Sequence, residues 1–175
     1  MTRQAMARLA MFTRRASQLL MAVSAAGLVA MTAIIGWQVF GRYVLNASPS
    51  WSEQAALVLM IWYVTLAAAA GVRQGFHIRI AALENAVPPR AARVMRLASH
   101  ACVAFAGVAM AIWGGALVTR TWSHVMPALG LSRGVAYLGL PFAGALIVLF
   151  ALERLWREWG GMSDSDDDGE YGSWR

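Results

Sequence analysis

The chain contains no lysine: all 15 basic residues among its 175 are arginine, and charged residues of both signs amount to only 14%. The arginine bias is compositional and marks no bidentate recognition site. Cysteine is nearly absent too. The single Cys102 lies inside an apolar run, which excludes an intramolecular disulfide and a multi-cysteine metal site and reads as a small buried hydrophobe. Charge is missing where it would matter most for ion conduction. Four long apolar runs contain no Asp, Glu, Lys or Arg, so a proton or ion path through this chain alone is not expected. Histidine is scarce, and His77, His100 and His124 do not fall in pairs at matching depth on different runs, so no haem and no other cofactor is expected. No nucleophile stands with a base at catalytic spacing, and the chain reads as a non-enzyme.

What is abundant is apolar surface, at 59% of residues with a mean hydropathy of +0.52. A helix needs about 20 apolar residues to cross the hydrocarbon core, where unpaired backbone groups find no water. Stretches of about 19–40, 55–72, 97–118 and 135–152 meet that length. The expected architecture is all-α, an integral membrane protein with four transmembrane helices. The expected division is a cytoplasmic or interfacial N-terminal segment over 1–17, a four-helix domain over 18–158 and a disordered acidic cytoplasmic tail over 159–175. The first run follows Arg14 and Arg15 but exceeds a signal-peptide core, and is read as a retained helix.

The arginines also set an orientation. Twelve of the fifteen lie before run one (Arg3, Arg8, Arg14, Arg15), between runs two and three (Arg73, Arg79, Arg90, Arg93, Arg96) or after run four (Arg154, Arg157, Arg175). Only Arg42, Arg120 and Arg133 occupy the alternate loops. Arginine excess marks the cytoplasmic side, so both termini are expected there. The net charge of +6 is explained by this flanking pattern, and no nucleic-acid partner is expected.

Several local features invite specific readings. Ser50 and Glu53 have the spacing of a capping box at the entrance to run two, with Trp51 holding that turn at the interface. The carboxylate would also meet the positive end of the helix dipole. Pro127 and Pro141 bracket the approach to run four, and Pro141 is expected to kink it. His77 and Arg79, with Arg73, stand at the inner boundary, as caps of run two or as contacts to lipid phosphate. The pairs Ala67 with Gly71, Ala111 with Gly115 and Gly139 with Ala143 offer small-residue spacings for close helix approach.

Two longer stretches carry a family resemblance. One runs from Trp51 and Glu53 through run two to GVRQGFHIRI, Gly71 to Ile80; the other is MPALGLSRGVAYLGLP, Met126 to Pro141. Together they resemble the small membrane (Q, DctQ-like) subunit of tripartite ATP-independent periplasmic (TRAP) transporters. In that family a W-x-E pair opens the second helix and an H-I-x-V/I element follows it, here His77 to Ile80. A P-A-L-G-I/L element then precedes Y-x-x-L-P, here Pro127 to Leu131, then Tyr137, Leu140 and Pro141. The resemblance covers roughly Leu19 to Leu155. The chain departs from the family pattern with Ala81, where an acidic residue is usual.

The resemblance implies a small permease subunit in the bacterial inner membrane. Such a subunit braces a large (M-type) membrane subunit and helps a periplasmic binding protein dock during sodium-driven uptake of an organic acid, generally a carboxylate. On that reading membrane lipid is a further partner, Arg42, Arg120 and Arg133 are outward docking candidates, and Glu53 is either a helix cap or a contact to the large subunit. An anchor subunit of a membrane redox complex is the alternative.

Overall fold

A computed structural model of the chain describes residues 3–47, 49–74 and 88–159. Helix α1, Arg3–Tyr43, runs unbroken for 41 residues, about 60 Å at 1.5 Å per residue. That is twice the length its apolar run requires. The expected interfacial segment over 1–17 is therefore no separate element from Arg3 onward, because the arginines there end an apolar run without ending a helix. Arg, Met, Ala and Gln are all strong helix formers.

At the other end of α1 the chain turns back through a close backbone contact. The Ala47 N–H donates to the Gly41 carbonyl at 2.9 Å, and a Cβ on Gly41 would stand 2.8 Å from the Ala47 oxygen. Asn46 takes the left-handed conformation, φ 50°, which its short polar side chain tolerates.

Helix α2 spans Ser52–Gln74 and α3 spans Pro89–Thr121, where proline in the first turn removes an amide that had no partner. After α3 comes an element absent from the all-helical expectation, a short antiparallel hairpin of β1, Val125–Met126, and β2, Leu131–Ser132. Gly130, with φ +66°, closes its turn, and its N–H donates to the Met126 carbonyl at 2.9 Å. A five-residue helix α4, Arg133–Tyr137, then leads into α5, Gly139–Trp159. The interruption falls at Leu138, not at Pro141, correcting the expected kink. Pro141 is the third residue of α5, inside the first turn, where proline costs no hydrogen bond.

These helices form a row. Among the described residues, extensive packing joins α1 to α2, α2 to α5 and α5 to α3, with α4 wedged against α3 and α2. Edge helices and central helices differ accordingly: 6% of the apolar window of α1 is buried, against 39% for the α4–α5 stretch. The fully buried residues Phe150, Ala143, Ala151 and Ala69 sit on the central pair, with Val72 and Ile147 around them. Cys102 is exposed on α3, correcting the expectation of a buried thiol.

The α3–α5 seam is closed by missing side chains. A Cβ on Gly144 would lie 2.6 Å from the Ala111 nitrogen and 2.8 Å from the Gly107 oxygen. One on Gly107 would meet Ile147 at 2.8 Å, and one on Gly114 would meet Leu140 at 2.9 Å. Ala111 does take part, but the partners are Gly107 and Gly114, a different stripe from the expected Ala111 and Gly115. Gly71 and Gly115 have open space where a Cβ would stand. The closest approach falls where Gly144 meets Gly107 and Ala111, with small residues on both helices.

Candidate docking surface

The ends of α1 and α3 and the starts of α2, α4 and α5 gather at one end of the row, called here the hairpin end. The opposite end carries the start of α1 and the finish of α5. At the hairpin end, α2 begins through Ser52, whose N–H and hydroxyl both reach the Pro49 carbonyl, the hydroxyl at 2.8 Å. The first helical bond runs from the Ala55 N–H to the Trp51 carbonyl at 2.9 Å.

This placement corrects the capping-box reading. Ser50 stands outside the helix and is exposed, while Glu53 is exposed in the first turn, and neither side chain makes a hydrogen bond among the described residues. The ladder begins one residue later than the box requires. Ser52, fully buried, is the serine that organises the turn. Glu53 still meets the dipole of α2 and is free to face a partner.

Two polar ties bind α2 to the distant loop. The Gln54 Oε1 accepts from the Ala128 N–H at 3.2 Å, and the Trp62 indole donates to the Val135 carbonyl at 3.2 Å. Ser132 secures the far side of the hairpin: its Oγ accepts from the Gly134 N–H at 3.1 Å while donating to the Trp122 carbonyl. The Trp122 ring in turn covers Gly134, where a Cβ would lie 2.7 Å from it. The hairpin and the start of α2 therefore form one held surface.

All three outward candidates lie on this end. Arg42 is in the last turn of α1, Arg120 in the last turn of α3 and Arg133 at the start of α4, and all are exposed. Pro127 is exposed in the hairpin turn, Tyr137 is half-buried at the end of α4, and Trp51 and Trp122 expose large parts of their rings. Arg42 and Arg120 sit on the two edge helices of the row, with the Arg133 helix between α3 and α2.

The opposite end holds a cluster that the apolar runs did not reveal. Arg73 Nε lies 3.4 Å from Glu153 Oε2 and donates to Thr13 Oγ1 at 3.2 Å. Arg154 Nη2 donates to the Arg73 carbonyl at 2.9 Å, and Gln74 Nε2 donates to Ser17 Oγ at 3.3 Å. Arg73 and Glu153 are 8% and 7% exposed, and Thr13 and Ser17 are buried. A charge sign at the end of each of two runs was the available signal. Runs two and four were closed at 72 and 152, one residue short of the pair. Of the expected inner-boundary motif, Arg73 belongs to this cluster, while His77 and Arg79 lie outside the described residues, as do Ala81 and the tail beyond Trp159.

With four helices long and apolar enough to cross a membrane, the chain can be set beside known proteins. Residues 31–161 match the family model of the DctQ component of tripartite ATP-independent periplasmic transporters. The sialic acid TRAP transporter small permease protein SiaQ of Vibrio cholerae is 24% identical over 128 residues, covering 73% of this chain and 74% of that one. The C4-dicarboxylate TRAP transporter small permease protein DctQ of the same organism is 25% identical over 152 residues, covering 73% and 66%. These matches set aside the redox-anchor alternative. The four apolar helices and a match over most of its length lead to one assignment: the chain belongs to the DctQ family, as a non-enzymatic, multi-pass inner-membrane small permease subunit of a bacterial TRAP transporter.

Proposed function

We propose that this subunit braces a large membrane subunit through the open faces of its helix row and presents the hairpin end to a periplasmic binding protein. The observation that carries the reading is the row itself. A layer one helix thick encloses no passage, yet leaves Leu19, Val23 and Trp37 on α1 and Phe105, Ile112 and Trp113 on α3 exposed for lipid or a membrane partner. The arginine asymmetry supports cytoplasmic termini and a periplasmic hairpin end, where Arg42, Arg120 and Arg133 meet an acidic partner surface. Trp51, Trp122 and Glu53 complete that surface.

The cargo of the assembled transporter is an organic acid, moved with sodium. Two relatives are named for sialic acid and for a C4-dicarboxylate, and both cargoes are carboxylates. The chain itself contributes no substrate ligand.

Deleting the chain should abolish uptake of radiolabelled carboxylates by the reconstituted three-component system, and the tagged chain should co-purify with a much larger membrane protein. Undiminished uptake after deletion would reject the bracing role. Arg133→Glu should weaken capture of the binding protein, with a flatter dependence of affinity on salt. An unchanged affinity and salt slope would remove Arg133 from the docking face.

A further inference from the structure

Helix α1 is held differently at its two ends. At the hairpin end the eight residues between Tyr43 and Ser52 tie it to α2, and the Gly41 to Ala47 contact fixes the turn. Toward its first residues, α1 packs extensively on α2 alone among the described residues. Between the two ends Gly27 rests against Tyr63, an apolar contact in which a Cβ would stand 2.9 Å from the tyrosine Cβ. In lipid, apolar contacts of that kind discriminate poorly between neighbouring depths, because lipid tails are as apolar as leucine.

We propose that Arg73 and Glu153, with Thr13, form a register key that sets the depth and rotation of α1 against α2 and α5. Each of the three helices contributes one member: Thr13 from α1, Arg73 from α2 and Glu153 from α5. A slip of α1 by one turn, about 5.4 Å, which the eight-residue connection to α2 would have to absorb, withdraws the Thr13 hydroxyl from the Arg73 guanidinium. It equally separates Ser17 from Gln74 and from the Ala70 carbonyl, which its hydroxyl reaches at 3.5 Å.

The composition of the cluster argues for specification above adhesion. Neither Glu153 oxygen makes a hydrogen bond although both are buried, so desolvation of the carboxylate is only partly offset. Replacing such a pair by well-packed apolar residues is often neutral or stabilising, whereas polar groups inside an apolar contact select one register among several. The key thus separates two properties that an adhesive contact would move together: how firmly the helices associate, and whether they do so in one arrangement. It is independent of the cargo and of the docking partner.

Disulfide mapping in membranes tests it on the full chain. In a Cys102→Ser background, Ser17→Cys is paired in turn with Leu66→Cys, Ala70→Cys and Gln74→Cys, positions one turn apart on α2. Since Ser17→Cys is common to all backgrounds, differences report on the key. With the key intact, the 17–70 product should dominate. With Arg73→Met and Glu153→Leu together, melting in detergent should be unchanged or raised, while 17–70 loses its dominance and 17–66 and 17–74 appear.

The isosteric Thr13→Val, which leaves the ion pair in place, should broaden the pattern in the same direction. The proposal is overturned if the double variant keeps 17–70 as its sole product. It is equally overturned if the double variant yields none of the three and Thr13→Val keeps 17–70 alone.

Discussion

Gly144→Val is expected to separate α3 from α5 and to prevent the chain from assembling. The added Cβ would lie 2.6 Å from a backbone nitrogen and 2.8 Å from a backbone oxygen on the facing helix, so no rotamer change relieves the clash. The helices must move apart, and the contacts of Gly107 with Ile147 and of Gly114 with Leu140 and Pro141 loosen with them. Overpacking a well-filled contact costs about 1–3 kcal/mol and sometimes more. A two-sided backbone clash at the centre of the seam belongs at or above the top of that range. A lowered melting temperature in detergent and lost recovery of the complex are the measurements. Gly115→Val, one residue beyond Gly114 on α3 but facing open space, is the matched control and should leave the melting temperature unchanged.

Arg73→Ala is expected to be nearly as damaging, by a different route. It leaves the Glu153 carboxylate buried with its ion-pair partner gone. Breaking a buried pair from one side costs about 3–5 kcal/mol, because an uncompensated charge remains in a medium that solvates it poorly. Chemical unfolding in mixed micelles should show that loss. Arg42→Ala, at an exposed site, should stay within about 0.5 kcal/mol of the parent. If the two arginine variants unfold alike, Glu153 is already solvated and the pair contributes nothing as a buried charge.

The contrast between these two sites explains what could be read in advance. The number and approximate place of the membrane helices follow from apolar run length, because lipid permits few other structures. Helix ends follow less well, since charge ends a hydrophobic run but need not end a helix. Arg14 and Arg15 lie well inside α1 for that reason, and Arg73 and Glu153 lie inside α2 and α5. Glu153 and Arg73 were hidden because each, taken alone, reads as the polar margin of its run; only their mutual distance makes them a site.

At the hairpin end the serine, tryptophan and glutamate spacing pointed to the correct turn and the wrong serine. The Pro49 carbonyl draws both the amide and the hydroxyl of Ser52, and the first carbonyl to accept a helical bond is that of Trp51 instead of Ser50. Small-residue spacings on runs two, three and four offer close helix contact without saying which helices meet, and which glycines face inward depends on helix rotation. Spacing alone is silent on that. The hairpin itself rests on a two-residue ladder too short to leave a periodicity.

The row order has a consequence for biogenesis. Its outer contacts are each made within one half of the chain: α1 with α2, and α3 with α5. Each half can thus complete its tightest packing as a local pair of helices as it leaves the translocon, with α2 and α5 waiting to meet. The halves then meet where α2 packs on α4 and α5, the contacts of greatest sequence separation in the row. The Gln54 and Trp62 ties, which join the halves at one end, are the contacts that report that meeting.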